Sequence, residues 1–196
     1  MPRILRELED DGHYHILTRG NDRKKIFRQP KDYVRFLYLA NEIIKKHPIV
    51  IYHYCLMKNH VHFLVKTLKA EDLPKFFQIL LQRYAHYFRE RYGHTGYLFQ
   101  NRYKSYPITK ESYLLECARY IERNPVRANF VTYPGDYRWS SFSLYAHGEK
   151  NDIIKEGDPL YLQLSEIASE RQRLYKEYLL QERAYEHVID QGLRIT

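Results

Sequence analysis

Ile49-Val-Ile-Tyr-His-Tyr-Cys-Leu-Met-Lys-Asn-His-Val-His-Phe-Leu-Val-Lys-Thr67 contains two β-branched and aromatic runs, Ile49 to Met57 and Val61 to Thr67, parted only by Lys58-Asn59. Strand formers joined by so short a link predict a hairpin. Upstream, His13-Tyr-His-Ile-Leu-Thr-Arg19 alternates and ends at Gly20-Asn21, which reads as a first strand running into a turn. Between these strands, Lys31 to Lys46 carries Val34, Leu37, Ala40 and Ile44 at helical spacing, with Pro48 as the stop. Downstream, Leu73, Phe76, Phe77, Leu80, Leu81, Tyr84 and Phe88 keep a three-to-four spacing, with Pro74 in the first turn and Gly93 beyond the end. Leu98 to Ile108 reads as a fourth strand, at an edge because Pro107 cannot donate to a ladder. Glu111 to Arg123 follows as a third helix with Leu114, Cys117, Ala118 and Ile121 as its buried stripe, ending at Asn124 because of Pro125.

The order βαββαβ followed by a helix predicts an α+β, ferredoxin-like (split βαβ) antiparallel sheet with helices on one face and the other face free for a ligand. After Trp139-Ser-Ser-Phe142 and a polar stretch, the charges mix with Leu164, Ile167, Leu174, Tyr178 and Leu179. This predicts one domain over residues 1–147 and a C-terminal helical tail over 148–196. No internal repeat is present.

A chain of 196 residues with 44% hydrophobic and 29% charged residues can bury a core. The longest apolar stretch, Pro48 to Tyr52, is far short of a membrane span, and the start has no signal-peptide pattern, so a cytoplasmic location is expected. Cys55 and Cys117 have neither disulfide-framework nor zinc-site spacing. Residues 1–150 hold 26 Lys and Arg against 15 Asp and Glu, whereas residues 151–196 hold 6 against 9. A basic body containing most of the 20 Tyr and 9 Phe suits phosphates and unstacked bases. A plain solvated basic surface is the competing reading.

His60 and His62 stand two apart on the third strand and share one face. Two neutral imidazoles side by side can hold a divalent metal, with oxygen ligands completing the set. Read alone, the pair fits a structural role better than a metal site, and Asn59 with its apolar neighbours shifts the balance by setting it in a core strand. Tyr113, Glu116, Tyr120 and Asn124 recur at three to four on the third helix, so a nucleophile and an oxygen ligand can share a face. A tyrosine phosphodiester keeps the bond energy needed to reseal a strand. From spacing alone, however, packing is the better reading of Tyr120. His13 and His15 form a rival pair with no tyrosine and amide tied to it. Tyr113 is a rival nucleophile, but Cys117 rather than an amide stands four residues after it.

Leu56-Met-Lys-Asn-His-Val-His-Phe-Leu-Val65 resembles the paired-histidine segment of the HUH single-tyrosine transposases, and Leu115-Glu-Cys-Ala-Arg-Tyr-Ile-Glu-Arg-Asn-Pro-Val-Arg-Ala128 resembles their tyrosine helix. Tyr14 to Asn21, Leu98 to Ser105 and Trp139 to Phe142 extend the likeness over roughly residues 12–146, in the manner of the REP-associated branch. The resemblance implies His60, His62 and Asn124 as ligands of Mg²⁺ or Mn²⁺, and Tyr120 as a nucleophile forming a 5′-phosphotyrosine link. It further implies a single-stranded DNA substrate, a hairpin or palindromic repeat, with a monomer favoured over a dimer. His15 becomes an active-site neighbour, and Arg19, Lys58, Arg102, Lys104 and Arg127 become candidate DNA contacts. Lys58 departs from the pattern, standing where proline is usual. Two other functions compete: a non-catalytic module binding single-stranded nucleic acid on an aromatic sheet, and a phosphodiesterase using water.

Overall fold

The computed structural model describes residues 7–110 and 113–181. Four strands, β1 (His13–Arg19), β2 (Ile49–Met57), β3 (His60–Thr67) and β4 (Lys104–Pro107), form one antiparallel sheet in the order β2-β3-β1-β4. This is the expected ferredoxin-like order, with the hairpin β2–β3 turning at Lys58-Asn59. That turn is tied down from the loop before helix α1: the Lys58 carbonyl accepts from the amides of Ile26 and Phe27, and the Asn59 carbonyl from Gly20.

Helices α1 (Pro30–Ile44) and α2 (Asp72–Tyr92) cover one face of the sheet. Their rings meet Ile16 of β1 and Val61, Phe63 and Val65 of β3 in the main core. The buried stripe of α1 is Tyr33, Phe36, Leu39, Ala40 and Ile43. It is rotated from the expected one, and Val34 is 54% exposed. Two aromatic rings offer more apolar area than Val34 and Leu37, so they set the rotation. Asp32 is buried at the start of α1, where its carboxylate accepts from the amides of Arg28 and Gln29 and from the hydroxyls of Tyr87 and Tyr92. Helix α2 closes at Gly93, whose φ of 59° lies in the left-handed region with open space where a Cβ would be. Gly93→Ala therefore costs backbone strain without a clash, about 1 kcal/mol, to be read as a lower urea midpoint at unchanged slope.

The fourth strand is shorter than expected. Only Lys104–Pro107 pairs with β1, while residues 98–103 form a loop with a single bridge between Gly20 and Phe99. Here β1 has ended, and the Arg19 side chain holds Gln100 instead of a ladder continuing. Pro107 sits on the edge strand, as its missing donor requires.

Helix α3 (Tyr113–Arg127) packs on the opposite face, over β2 and β3, burying Leu114, Cys117, Ala118 and Ile121 against Val50, Cys55, Met57 and Leu64. Glu111, the expected start, lies outside the described residues. The helix runs through Pro125 rather than ending before it. Proline forfeits its own bond to the Ile121 carbonyl, but the amides of Ala128 and Phe130 still bond back to the carbonyls of Asn124 and Pro125 and carry the helix past it. Asn124 thus stays helical.

Residues after 147 add α5 (Pro159–Leu162) and α6 (Ala168–Leu180), which follow α4 (Phe142–His147). Their Tyr161, Tyr175 and Leu179 are buried with Tyr145 in the same main core. Among the described residues no helix is long and apolar enough to cross a membrane.

Candidate nuclease site

On β3 the pleat sends Val61, Phe63 and Val65 into the main core and leaves His60, His62 and Leu64 on the α3 face. Across the ladder, His60 lies opposite Arg19 and His62 opposite Leu17, with Lys104 next along and Tyr106 opposite His15. Strand register therefore gathers His15, His60, His62, Arg19, Lys104 and Tyr106 on one face.

The imidazoles of His60 and His62 stand 4.9 Å apart, ring centre to ring centre, at 89°. Nδ1 of His60 lies 2.7 Å from Asn59 Oδ1, which can only accept, so that nitrogen carries the proton and Nε2 keeps its lone pair. Nδ1 of His62 is 2.9 Å from Nε2 of His15. If His62 donates there, its own Nε2 is also free, an outer partner setting the tautomer of an inner one. His15 is fully buried, and its Nδ1 has no hydrogen-bond partner. Burial holds His15 at a pKa of about 4. Burial also lowers His60 to about 4, with a hydrogen bond to Asn124 opposing and the Arg19 charge adding to the shift. His62 is pushed well below the usual range by burial, and by His60, His15 and Arg127 around it. Neutral imidazoles result near pH 7, as metal ligation requires.

From α3, Tyr120 lays its ring edge-on against His62 at 5.6 Å and against His15 at 5.7 Å. Arg127, two turns on, sets its guanidinium 4.8 Å from the centre of the Tyr120 ring. One turn after Tyr120, the Asn124 amide nitrogen donates to the Tyr120 carbonyl at 3.0 Å, while its side chain also reaches His60. His60, His62 and Asn124 are a chemically suitable set for a hard divalent cation that retains open positions for phosphate oxygens. Among the described residues no group of three or more His, Cys, Asp or Glu could hold a metal ion, so any ion here depends on the amide and on substrate or water oxygens.

The structure thus joins His60, His62, Asn124 and Tyr120, with His15, Arg19 and Arg127 around them. Lys104 shares the face on the edge strand. Lys58 and Arg102 stand apart: the Lys58 ammonium lies 4.6 Å from the centre of the Phe130 ring, and Arg102 lines a groove against α2 with Gln78 and Gln82. Of the rivals, His13 stacks on Tyr52 at 5.9 Å while only His15 reaches His62. Tyr113 is 54% exposed beneath Lys110, and Glu116 accepts from the Tyr178 hydroxyl. Tyr106 was not singled out by sequence, although a strand partner two residues beyond Lys104 has to share its face. Its ring lies 6.1 Å from that of His15.

The family model "Transposase IS200 like" matches residues 9–124, more than half the chain. The chain belongs to the IS200-like transposases. Membership in this family implies DNA endonuclease and transposition activity. Among solved structures, this transposase is similar to a REP-associated tyrosine transposase bound to a REP hairpin, at 16% identity over 80% of this chain and 92% of that one, with a TM-score of 0.65. That likeness shows a shared fold. Weaker likenesses are to a transposase candidate from Deinococcus radiodurans R1 (16% identity, 63% and 95% covered, TM-score 0.42) and to tRNA(His) guanylyltransferase of Saccharomyces cerevisiae (10% identity, 100% and 81% covered, TM-score 0.44). No curated protein matches the sequence.

Proposed function

We propose that this transposase binds single-stranded DNA at a hairpin or palindromic repeat and cuts and rejoins it through Tyr120, in the manner of the REP-associated branch. The observation that carries the proposal is the Tyr120 ring set edge-on against His62, with Asn124 one turn along the same helix. His60, His62 and Asn124 would hold Mg²⁺ or Mn²⁺, which when bound supplies Lewis-acid polarisation of the scissile phosphate. Asn59 and His15 orient the two imidazoles for that task. Arg19 and Arg127 offer positive charge to the phosphate, and Lys104 extends it along the sheet edge.

In the cleavage step the Tyr120 phenol gives up its proton and its oxygen bonds to phosphorus as the bond to the 3′ oxygen breaks. One strand end leaves as a 3′ hydroxyl, and the other stays as a 5′-phosphotyrosine. Attack by a 3′ hydroxyl on that link reverses the step and reseals the strand. Because Tyr120 meets the histidines of its own chain, a monomer suffices. The fold relative was solved with a REP hairpin, which makes such hairpins the first substrates to try.

Incubating the protein with labelled hairpin DNA and Mn²⁺ is expected to give an SDS-resistant adduct that peptide mass spectrometry assigns to Tyr120. Release of 5′-phosphate ends without an adduct would point instead to water as nucleophile. Binding that survives His60→Ala and His62→Ala, with no cleavage across varied hairpins, would favour the binding module.

A further inference from the structure

Two residues beyond Tyr120, Glu122 points to the other flank of α3 and is fully buried. Its carboxylate meets groups from three other parts of the chain: Nδ1 of His53 on β2 at 2.8 Å, the Ser141 hydroxyl before α4 at 2.5 Å, and the Tyr175 hydroxyl of α6 at 2.9 Å. His53, in turn, has its Nε2 3.3 Å from Asp158 at the start of α5, where the other Asp158 oxygen caps the helix amides of Leu160 and Tyr161. His53 and Asp158 are fully buried as well. Burial alone would drive His53 neutral, yet the Glu122 and Asp158 charges and hydrogen bonds prevail and raise it to about 9.

Such a cluster is an expensive way to hold a helix. In other proteins, apolar side chains of similar size often stabilise a core as well as a buried ion pair, and the best-attested use of buried ionic groups is to select one arrangement. The rest of the α3 contact explains the need. Its stripe of Leu114, Cys117, Ala118 and Ile121 is apolar and includes two small side chains. Apolar burial is non-directional and tolerates a slide or a roll. Hydrogen bonds from three directions to one carboxylate do not. Helix α6 adds bonds along the same flank: the Tyr178 hydroxyl donates to Glu116, Arg123 donates to the Leu179 carbonyl at 2.8 Å, and Arg119 donates to that of Gln181.

We propose that Glu122, through its buried cluster with His53, Asp158, Tyr175 and Ser141, is a positioning residue that fixes the rotation and height of α3. The segment after residue 147 thereby becomes part of the apparatus that presents Tyr120 to His60 and His62. The proposal rests on Tyr120 being the nucleophile. A displacement of about 1 Å at a reacting group can cost about 100-fold in rate, so loosening the cluster is expected to slow chemistry while leaving DNA affinity alone.

The test uses the full chain with Tyr175→Phe, which removes one hydroxyl and keeps the ring, and Glu122→Gln, which keeps shape and removes charge. Single-turnover adduct formation on labelled hairpin DNA with Mn²⁺ is expected to fall about tenfold in Tyr175→Phe and further in Glu122→Gln. Hairpin affinity, measured in a Tyr120→Phe background, is expected to stay within about twofold. In parallel, 3-fluorotyrosine encoded at position 120 should give one narrow ¹⁹F line in the otherwise native chain and a broadened or doubled line in each variant. Folded variants with native rates and an unchanged line would overturn the proposal, as would a Tyr175→Phe protein whose rate and affinity fall in step. Should Glu122→Gln fail to fold, Tyr175→Phe decides. If the native protein forms no adduct, the nucleophile reading fails, and the fluorine line still reports whether the cluster sets the ring.

Discussion

Tyr120→Phe is expected to lower the rate of covalent adduct formation by about 10⁴-fold or more, because it removes the attacking oxygen. The ring that packs against His15 and His62 is retained, so folding and hairpin binding should persist. Tyr113→Phe is the matched control. Tyr113 is two turns earlier on α3 and exposed, and its loss should leave the rate within about twofold. Quantified SDS-resistant product on labelled DNA separates the two variants. An adduct that persists in Tyr120→Phe and vanishes in Tyr113→Phe would reverse the assignment, and equal activity in both would exclude these two tyrosines as the nucleophile.

The second large effect is a bell-shaped dependence of stability on pH in chelator-treated protein, with its maximum near pH 6.5. His15 and His60 have folded pKa values of about 4, below the usual 6.5, so both are neutral in the folded chain over a range where the unfolded chain takes up protons. Their stability contribution is intact above pH 6.5 and is lost as pH falls from there toward 4. His15 alone accounts for about 3 kcal/mol. His60, whose edge is open to solvent, contributes less, and His62 acts in the same direction. His53 works oppositely. Raised to about 9, it contributes in full below pH 6.5, and that contribution fades as pH climbs through 9. Each group gives a slope of about 1.4 kcal/mol per pH unit, so an acid limb with several groups should be steeper than the alkaline limb up to about pH 8, where His53 acts before the buried thiols of Cys55 and Cys117, raised by burial, add to the loss. Urea titrations between pH 4 and about 8 test this, and His53→Gln should flatten the alkaline limb over that range while leaving the acid limb unchanged. A stability that rises on acidification from pH 6.5 to 5 would refute the assignment of neutral buried imidazoles.

The parts of this fold legible in sequence were those with one dominant signal. Strand β2 was bounded at Ile49 and Met57 because nine strand formers end at a two-residue link, and α2 was readable because its apolar spacing never breaks. Where two signals competed, reading was harder. Val34 and Leu37 match a helical period as well as Tyr33 and Phe36 do, and only the volume of the rings decides between them. Pro125 carries a local penalty, yet the amides of Ala128 and Phe130 bond back past it and α3 continues. Residues 98–103 have strand formers at their ends, yet Gln100 turns to Arg19. In the candidate site, His60, His62, Tyr120 and Asn124 could be named because strand and helix periods place them, whereas Glu122 could not. An acid beside apolar Ile121 looks like a surface residue until His53, Ser141 and Tyr175 arrive from distant positions to meet it. The signal that could have found it was His53 itself, an ionisable side chain in the middle of the most apolar strand.

The two-residue link at Lys58-Asn59 acts as a ruler. Side chains on a strand change faces with every residue, so sliding β3 by one place would turn His60 and His62 toward α1 and α2 and bring Phe63 out under α3. One added or missing residue would thus exchange the reactive surface for the hydrophobic one along the whole strand. The identity of the residue at this link is free, since Lys58 stands exposed, whereas the length of the link is not. Insertions and deletions between Met57 and His60 should therefore be among the least tolerated changes in the gene, even though Lys58 at their centre is exposed to water.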